Sequence, residues 1–479
     1  MSAGAAAGEL TRQANRARAA TIAAYSILGL ALVVSRIVGL GESFWTDEIT
    51  AVEEFIREGP REILAGPNLS HELFGILAWV TSLAVGESEV AFRLLSVVPF
   101  LAGVGLVTAW LHLRAGALAA VLFLFLATTS PLLLDITRQA RGYGLAFLAM
   151  SALVVAGLEA IRSDRTGAVV AFCAAGIVGT LTLPQFGIAF VATGAGLLVE
   201  RALRRRVAIG LAASGLLILA WYAPHLGEVG ASAQIEDGVR IKTAWLVTAP
   251  IDQVLLPALV WIDGTALVAG VVWLPLVLLA AIVGASSPLT RSRATAFLLL
   301  SGPVVTILVL WLAQAYVIPR YLSYLLVPLF VLVATGTSAL VARGRKRDAI
   351  PSVAGAVVVA VLAIRFVTLA PDIMRLPREA NRDAAQAVLA AEPPRIGVLA
   401  YLRNPQNLEH YLDRPVVDLA PEEVVRRVCG HNTPIVFVTQ PFGIPAVAVP
   451  CLSRNGIEHR RFEQYARGDE MNVWIVPPG

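Results

Sequence analysis

A chain of 479 residues in which 57% are hydrophobic and 15% charged, with a mean hydropathy of +0.72, is not an ordinary soluble protein, because soluble domains carry about a quarter charged residues. The formal charge of +4 does not mark a nucleic-acid binder either, since the basic residues stand in short clusters between apolar runs and form no continuous face. Apolar runs of about 20 residues, each long enough to cross ~30 Å of hydrocarbon, recur from residue 20 to residue 369, the pattern of a polytopic α-helical membrane protein.

In chain order, about eleven spans are expected, at 20–40, 92–111, 116–133, 143–161, 167–183, 186–200, 207–224, 263–284, 294–313, 321–341 and 349–369. The clusters Arg12/Arg16/Arg18, Arg114, Arg162/Arg165, Arg201/Arg204/Arg205/Arg206, Arg291/Arg293 and Arg343/Arg345/Lys346/Arg347 fall in every second loop. Positive charge marks the cytoplasmic side, which puts the N-terminus inside and residues 370–479 outside. The first apolar run follows basic residues and exceeds a signal peptide's core, so it reads as a retained signal anchor.

Residues 41–91 form the first outer loop. Its stretch HELFGILAWVTSLAVG is too short and amphiphilic to span, and a span there would move the later arginine clusters outside; it reads as an interfacial helix. A second outer excursion, from Gly227 to about Asp263, holds Lys242 and is interrupted by Pro250 and Pro257. Beyond residue 370 the grammar changes. The β-rich runs RIGVLAY, PIVFVTQ and NVWIV alternate with the helix-like NRDAAQAVLAAE and PEEVVRRV, the pattern of a small α/β domain with an at least partly parallel sheet. Two domains are thus expected, 1–369 in the membrane and 370–479 outside it. No GxGxxG or P-loop is present, so nucleotide binding has no support. Cys429 and Cys451 both fall in the exported domain, where a disulfide is permitted; two unpaired thiols fit as well, because sequence gives no distance between them.

Several residues have the chemistry of a site. Asp47 and Glu48 in SFWTDEIT follow the first span on its outer side. Adjacent carboxylates at an apolar boundary suit a general base, with partial desolvation and mutual repulsion raising one pKa, yet they equally suit a helix's solvated first turn capped by Thr46. Arg36, Arg138, Arg141 and Arg320 break the positive-inside trend at membrane depth, where a charge is costly unless paired or lining a wet cavity. A cavity for anionic groups explains them together, since the guanidinium fork fits phosphate oxygens bidentately. Snorkelling, or pairing with Asp47, Glu48, Glu53 or Asp135, explains each separately. His71, followed by Glu72, can orient a substrate hydroxyl, hold a proton, or join Asp47 and Glu48 around a divalent cation. One histidine with two carboxylates is a weak metal pattern, and no cofactor is required. His410, His431 and His459 lack metal-ligand spacing.

Taken together these residues resemble the GT-C glycosyltransferases, in the branch related to protein O-mannosyltransferases and the lipid A aminoarabinose transferase. Four segments match in order over about residues 20–341: WTDE, the interfacial segment from His71 to GESEVAFRLLSVV, SPLLLDITRQARGYGL and IPRYLSYLLVPL. The resemblance implies that Asp47, with Glu48 beside it, is the catalytic acid of the first outer loop. It implies that Arg320 and Tyr321 meet the phosphate of a polyprenyl carrier, helped by Arg138, Arg141 and Lys242, and that His71, Glu72, Trp45 and Tyr143 line the substrate site. Where many relatives read His-Pro-Pro, this chain reads His71-Glu72-Leu73, so the sugar and the acceptor are not implied.

The expected function is transfer of a sugar from a polyprenyl-phosphate-linked donor to an envelope glycan, lipid or protein, at the outer face of a bacterial-type plasma membrane. A lipid donor fits the compartment, because nucleotide sugars are cytoplasmic, and the chain holds no Asp-x-Asp motif. Two rivals stay open: a transporter or flippase of lipid-linked sugars, though no paired half-repeats are visible, and a non-catalytic envelope assembly subunit.

Overall fold

A computed structural model of the chain describes residues 3–65, 71–225, 282–285, 287–312, 319–343, 370–371, 373–376, 380–391, 397–401, 406–412, 414–429, 435–439, 458–463 and 470–476, with single positions at 360, 364, 367 and 452. Lys242, Cys451 and the side chain of Cys429 lie outside the described residues, as does nearly all of the spans expected at 263–284 and 349–369.

The protein is mostly helical and multi-pass. Among the described residues five helices are long and apolar enough to cross a membrane: Arg18–Ile37, Glu89–Arg114, Tyr143–Ser163, Arg204–Tyr222 and Arg320–Ala342. Shorter apolar helices, Ala117–Thr129, Thr166–Thr182, Phe186–Leu197 and Arg293–Val309, stand at four more of the expected spans. The run expected to span at 116–133 is broken near its end. Ser130 leaves the helix, and its hydroxyl accepts from the Leu133 amide at 3.3 Å. Pro131 then opens a new short helix, Pro131–Thr137, in the first-turn position where its missing N–H costs nothing.

Tyr143–Ser163 is the central helix, buried along most of its length. It crosses Glu89–Arg114 at Gly144, where an added Cβ would stand 1.8 Å from the Ser96 carbonyl oxygen, and the Gly144 amide donates to the Ser96 hydroxyl at 3.1 Å. Close backbone approach at a small residue is how helices gain contact in lipid, where burial from water offers no drive. Phe100 and Phe147 extend the seam edge to face, centroids 4.8 Å apart. Leu216 and Leu217, by contrast, face outward on Arg204–Tyr222, as side chains do against acyl chains.

Among the described residues the C-terminal part carries five strands, β1 (Gly397–Tyr401), β2 (Val417–Asp418), β3 (Ile435–Thr439), β4 (Glu458–Glu463) and β5 (Glu470–Val476), in the order β2-β1-β3-β5-β4. β1 runs parallel to β2 and β3, while β5 is antiparallel to β3 and β4. β3 is buried throughout, and its alternation sends Val436 and Val438 to one core and Ile435 and Phe437 to the other. Helices Asn381–Ala390 and Gln406–Leu412 cover the first of these cores and lean on the loop that follows the first span.

Candidate active site

The site is built on the loop between the first span and the short helix Thr46–Ala51. Arg93, buried on Glu89–Arg114, holds that loop by three carbonyls. Its Nη1 donates to the oxygens of Leu40 at 2.9 Å and Glu42 at 2.7 Å, and Nη2 to that of Ser43 at 2.9 Å. The same guanidinium clasps Glu48 through two bonds, Nε to Oε1 at 3.0 Å and Nη2 to Oε2 at 2.7 Å. Glu48 is 0% exposed and also accepts from the amides of Trp45 at 3.1 Å and Ala140 at 2.5 Å. The helix N-cap is Trp45, one residue before the expected Thr46, and Glu48 in the third helical position reaches back to it as half of a capping box.

Asp47, the next residue, has different surroundings. Its side chain is 25% exposed and its Oδ2 accepts from Arg320 Nη2 at 2.5 Å. The Arg320 guanidinium lies 4.7 Å from the Trp45 ring centroid and 5.6 Å from that of Tyr321, so aromatic faces fix it on two sides. Tyr321 stacks near Tyr143 at 6.4 Å, and Tyr143 meets His71 edge to face at 5.0 Å. The turn before Tyr143 ties these pieces together through three successive residues. Ala140 donates to Glu48, Arg141 Nη1 to the Asp47 carbonyl at 3.0 Å, and the Gly142 amide to His71 Nδ1 at 2.9 Å. Glycine is required at 142, because a Cβ there would stand 2.9 Å from His71 Nδ1 and 2.6 Å from Thr182 Cγ2.

His71 opens helix Glu72–Val85 in the left-handed region, φ 51 and ψ 55, a conformation that costs ~1–3 kcal/mol in a residue with a side chain and collects at functional sites. With Nδ1 accepting, the proton of the neutral ring sits on Nε2. Burial, then Arg141 and Arg320, hold the pKa of His71 well below its ordinary value, so the ring is neutral. Among the described residues, Nε2 of His71, the hydroxyl of Tyr143, and Nε and Nη2 of Arg141 are buried without a hydrogen-bond partner. An unpartnered buried donor costs ~1–3 kcal/mol. Four such donors around the Asp47–Arg320 pair suit a ligand rich in oxygen acceptors, such as a phosphate.

Glu72 is buried on the same turn and accepts from Trp221 Nε1, leaving Oε1 without a partner among the described residues. Burial pushes its pKa from 4.5 up to about 7, against the opposing Trp221 hydrogen bond. Between those values the folded chain keeps a proton that the unfolded chain releases, so stability falls as pH rises through this window. Thermal unfolding at pH 5 and pH 8 checks this: Glu72→Gln is expected to narrow the difference between the two and to raise the transition at pH 8. An identical pH profile in the two proteins would contradict it.

Two of the four arginines are not brought to this cluster. Arg36 is fully buried and caps the end of Ala117–Thr129, donating to the carbonyls of Ala127 at 3.0 Å and Thr128 at 3.3 Å, with Phe100 5.3 Å beneath it. Those carbonyls have no partner within their own helix, which is why a cation is stable there. Arg138, expected at the phosphate, donates to the Ile373 carbonyl and lines a small cleft with Glu42, Asp135 and Gln139 that reaches Trp45, Glu48 and Arg93 but neither Asp47 nor Arg320. Nor do Asp47, Glu48 and His71 gather as metal ligands; no group of three such side chains suited to a metal occurs among the described residues. In the sequence the only signal of Arg93 is a lone charge in an apolar run. Asn381, Asn407 and Tyr411, which touch the loop from the C-terminal side, carry no signal in sequence at all.

No family model matches this chain, and no curated protein matches it. Among solved structures, ArnT from Cupriavidus metallidurans in the apo state is similar with a TM-score of 0.55, at 14% identity over 96% of this chain and 98% of that one. The same protein bound to undecaprenyl phosphate is similar with a TM-score of 0.53, at 14% identity over 95% and 97%. At this identity the likeness shows the fold alone.

Proposed function

We propose that this chain is a glycosyltransferase that moves a sugar from a polyprenyl-phosphate-linked donor to an envelope acceptor, at the outer face of the membrane. The observation that carries the reading is a carboxylate paired with an arginine inside a ring of buried, unpartnered donors. That ArnT shares the fold and binds undecaprenyl phosphate supports a carrier phosphate as the ligand of those donors.

Asp47 takes the proton of the acceptor hydroxyl as its oxygen attacks the anomeric carbon. The bond from that carbon to the phosphate oxygen breaks, and its electron pair leaves with the polyprenyl phosphate. Charge grows on the phosphate as it departs, and Arg320, Arg141 and the Nε2–H of His71 are fixed donors for it, which lowers the barrier because no reorganisation is needed at the moment of reaction. Arg320 then serves both ends: it holds Asp47 in the resting site and shares its guanidinium with the phosphate once the donor is bound. Glu48, with both oxygens committed to four N–H groups, is scaffold and not base.

The test uses the full chain in nanodiscs with radiolabelled undecaprenyl-phosphate-linked sugars, and reads free undecaprenyl phosphate together with labelled acceptor. Movement of the intact lipid-linked sugar between leaflets, with no bond broken, would replace this reading with a transporter. In the same system Arg320→Ala is expected to weaken undecaprenyl phosphate binding by about 10–100-fold, the worth of a hydrogen bond to a charged group. Arg320→Lys recovers only part, because one ammonium lacks the planar fork. Unchanged binding in Arg320→Ala would remove it from the phosphate site.

A further inference from the structure

The outer domain does more than sit beside the membrane helices. Three of its side chains bind the segment immediately before Asp47. Asn407, 1% exposed, donates Nδ2 to the Thr46 hydroxyl at 2.7 Å. Asn381, also 1% exposed, donates to the Phe44 carbonyl at 3.2 Å, and the Tyr411 hydroxyl accepts from the Phe44 amide at 2.6 Å. Around them Arg382 pairs with Glu89 at 3.3 Å and His410 with Glu53. Arg93 grips carbonyls 40, 42 and 43 from the membrane side, and the domain grips residues 44 and 46 from outside. Asp47 is the next residue in the chain, and its helix, the six residues Thr46–Ala51 continued by the five of the π-helical turn Val52–Ile56, is shorter than the ~12–15 residues that a helix needs to be stable by itself.

We propose that the C-terminal domain is part of the catalytic unit, with Asn407 a positioning residue that fixes Thr46 and thereby the turn that presents Asp47. This rests on the reading of Asp47 as the base. Two buried side-chain amides spent on one short segment of loop are costly to order, and their effect is to take away the freedom of a carboxylate that must stand within hydrogen-bond reach of a hydroxyl. A shift of ~1 Å in such a group costs of the order of 100-fold in rate, so a clamp has a direct kinetic return.

Hydrogen–deuterium exchange on the full chain in nanodiscs tests the placement without any substrate. Asn407→Ala is expected to raise exchange about 5–10-fold across residues 44–51, the loss of one hydrogen bond's worth of protection, while β3 and β5 keep theirs. Thr46→Val, made on the other side of the contact, is expected to give the same rise, the double variant no more than either single, and Thr46→Ser to restore protection. With labelled undecaprenyl-phosphate-linked sugars, kcat falls about tenfold in Asn407→Ala with the affinity for undecaprenyl phosphate unchanged, whereas Arg426→Ala, on an exposed pair with Glu423, leaves both alone. Unchanged exchange at 44–51, a rise shared equally by β3 and β5, or additive single variants would overturn the proposal. Asp47→Asn is run beside them: full transfer by that variant, with the exchange results intact, sinks the base assignment and leaves the clamp standing.

Discussion

Asp47→Asn is expected to lower single-turnover sugar transfer by about 10²–10⁴-fold, the usual worth of a general base, while the protein stays folded and still binds undecaprenyl phosphate. Asparagine keeps the volume and one acceptor oxygen for Arg320, so the site's shape survives; what is lost is the group that takes the proton. Donor binding is expected to hold or tighten, because Arg320 no longer shares its charge with a carboxylate. That split between chemistry and binding separates a base from a mere partner of Arg320, whose removal would disturb both. Transfer at the wild-type rate by Asp47→Asn would take the proton acceptor elsewhere, with Glu72 the first residue to examine.

The contrast between Asp47 and Glu48 shows where sequence stops. Side by side in SFWTDEIT they are equivalent candidates, and either can be written as the base. Successive helical residues point about 100° apart, so the two cannot share surroundings, but which one faces the site depends on Arg93, a residue 45 positions away that clasps Glu48. The arginines divide in the same way. All four are expected at outer membrane depth, yet Arg36 meets helix-end carbonyls and Arg138 a backbone oxygen, while Arg141 and Arg320 reach Asp47.

Apolar periodicity located the helices because it records what faces lipid or core along the whole length of a segment. It does not record where a helix stops, so it runs on through the break at Ser130–Pro131. β4, which reads EHRRFE, is hidden for a related reason: it is an edge strand of the sheet, and its charged sequence leaves no apolar alternation to see. The strained turn at His71 is invisible too, since only glycine advertises a positive φ in sequence.

The largest effect on the fold is expected at Arg93. Arg93→Leu leaves the Glu48 carboxylate buried without its cation and strips the donor from the carbonyls of Leu40, Glu42 and Ser43. Breaking one side of a buried ion pair costs ~3–5 kcal/mol, against a total stability of only ~5–15 kcal/mol for a typical protein, so thermal unfolding in nanodiscs should move far down and the yield of folded protein with it. Glu48→Gln should cost less, because the Arg93 guanidinium that it leaves without an anion keeps the carbonyls of Leu40, Glu42 and Ser43 as acceptors. The double variant Glu48→Leu/Arg93→Leu removes both charges and is expected to regain part of the loss, but not all, since the three carbonyls and the two amides remain without partners. That partial recovery identifies the cost as electrostatic and local. A single Arg93→Leu protein that unfolds like the wild type would mean that Glu48 is not held by this pair, and the assignment of Glu48 as scaffold beside a catalytic Asp47 would fall with it.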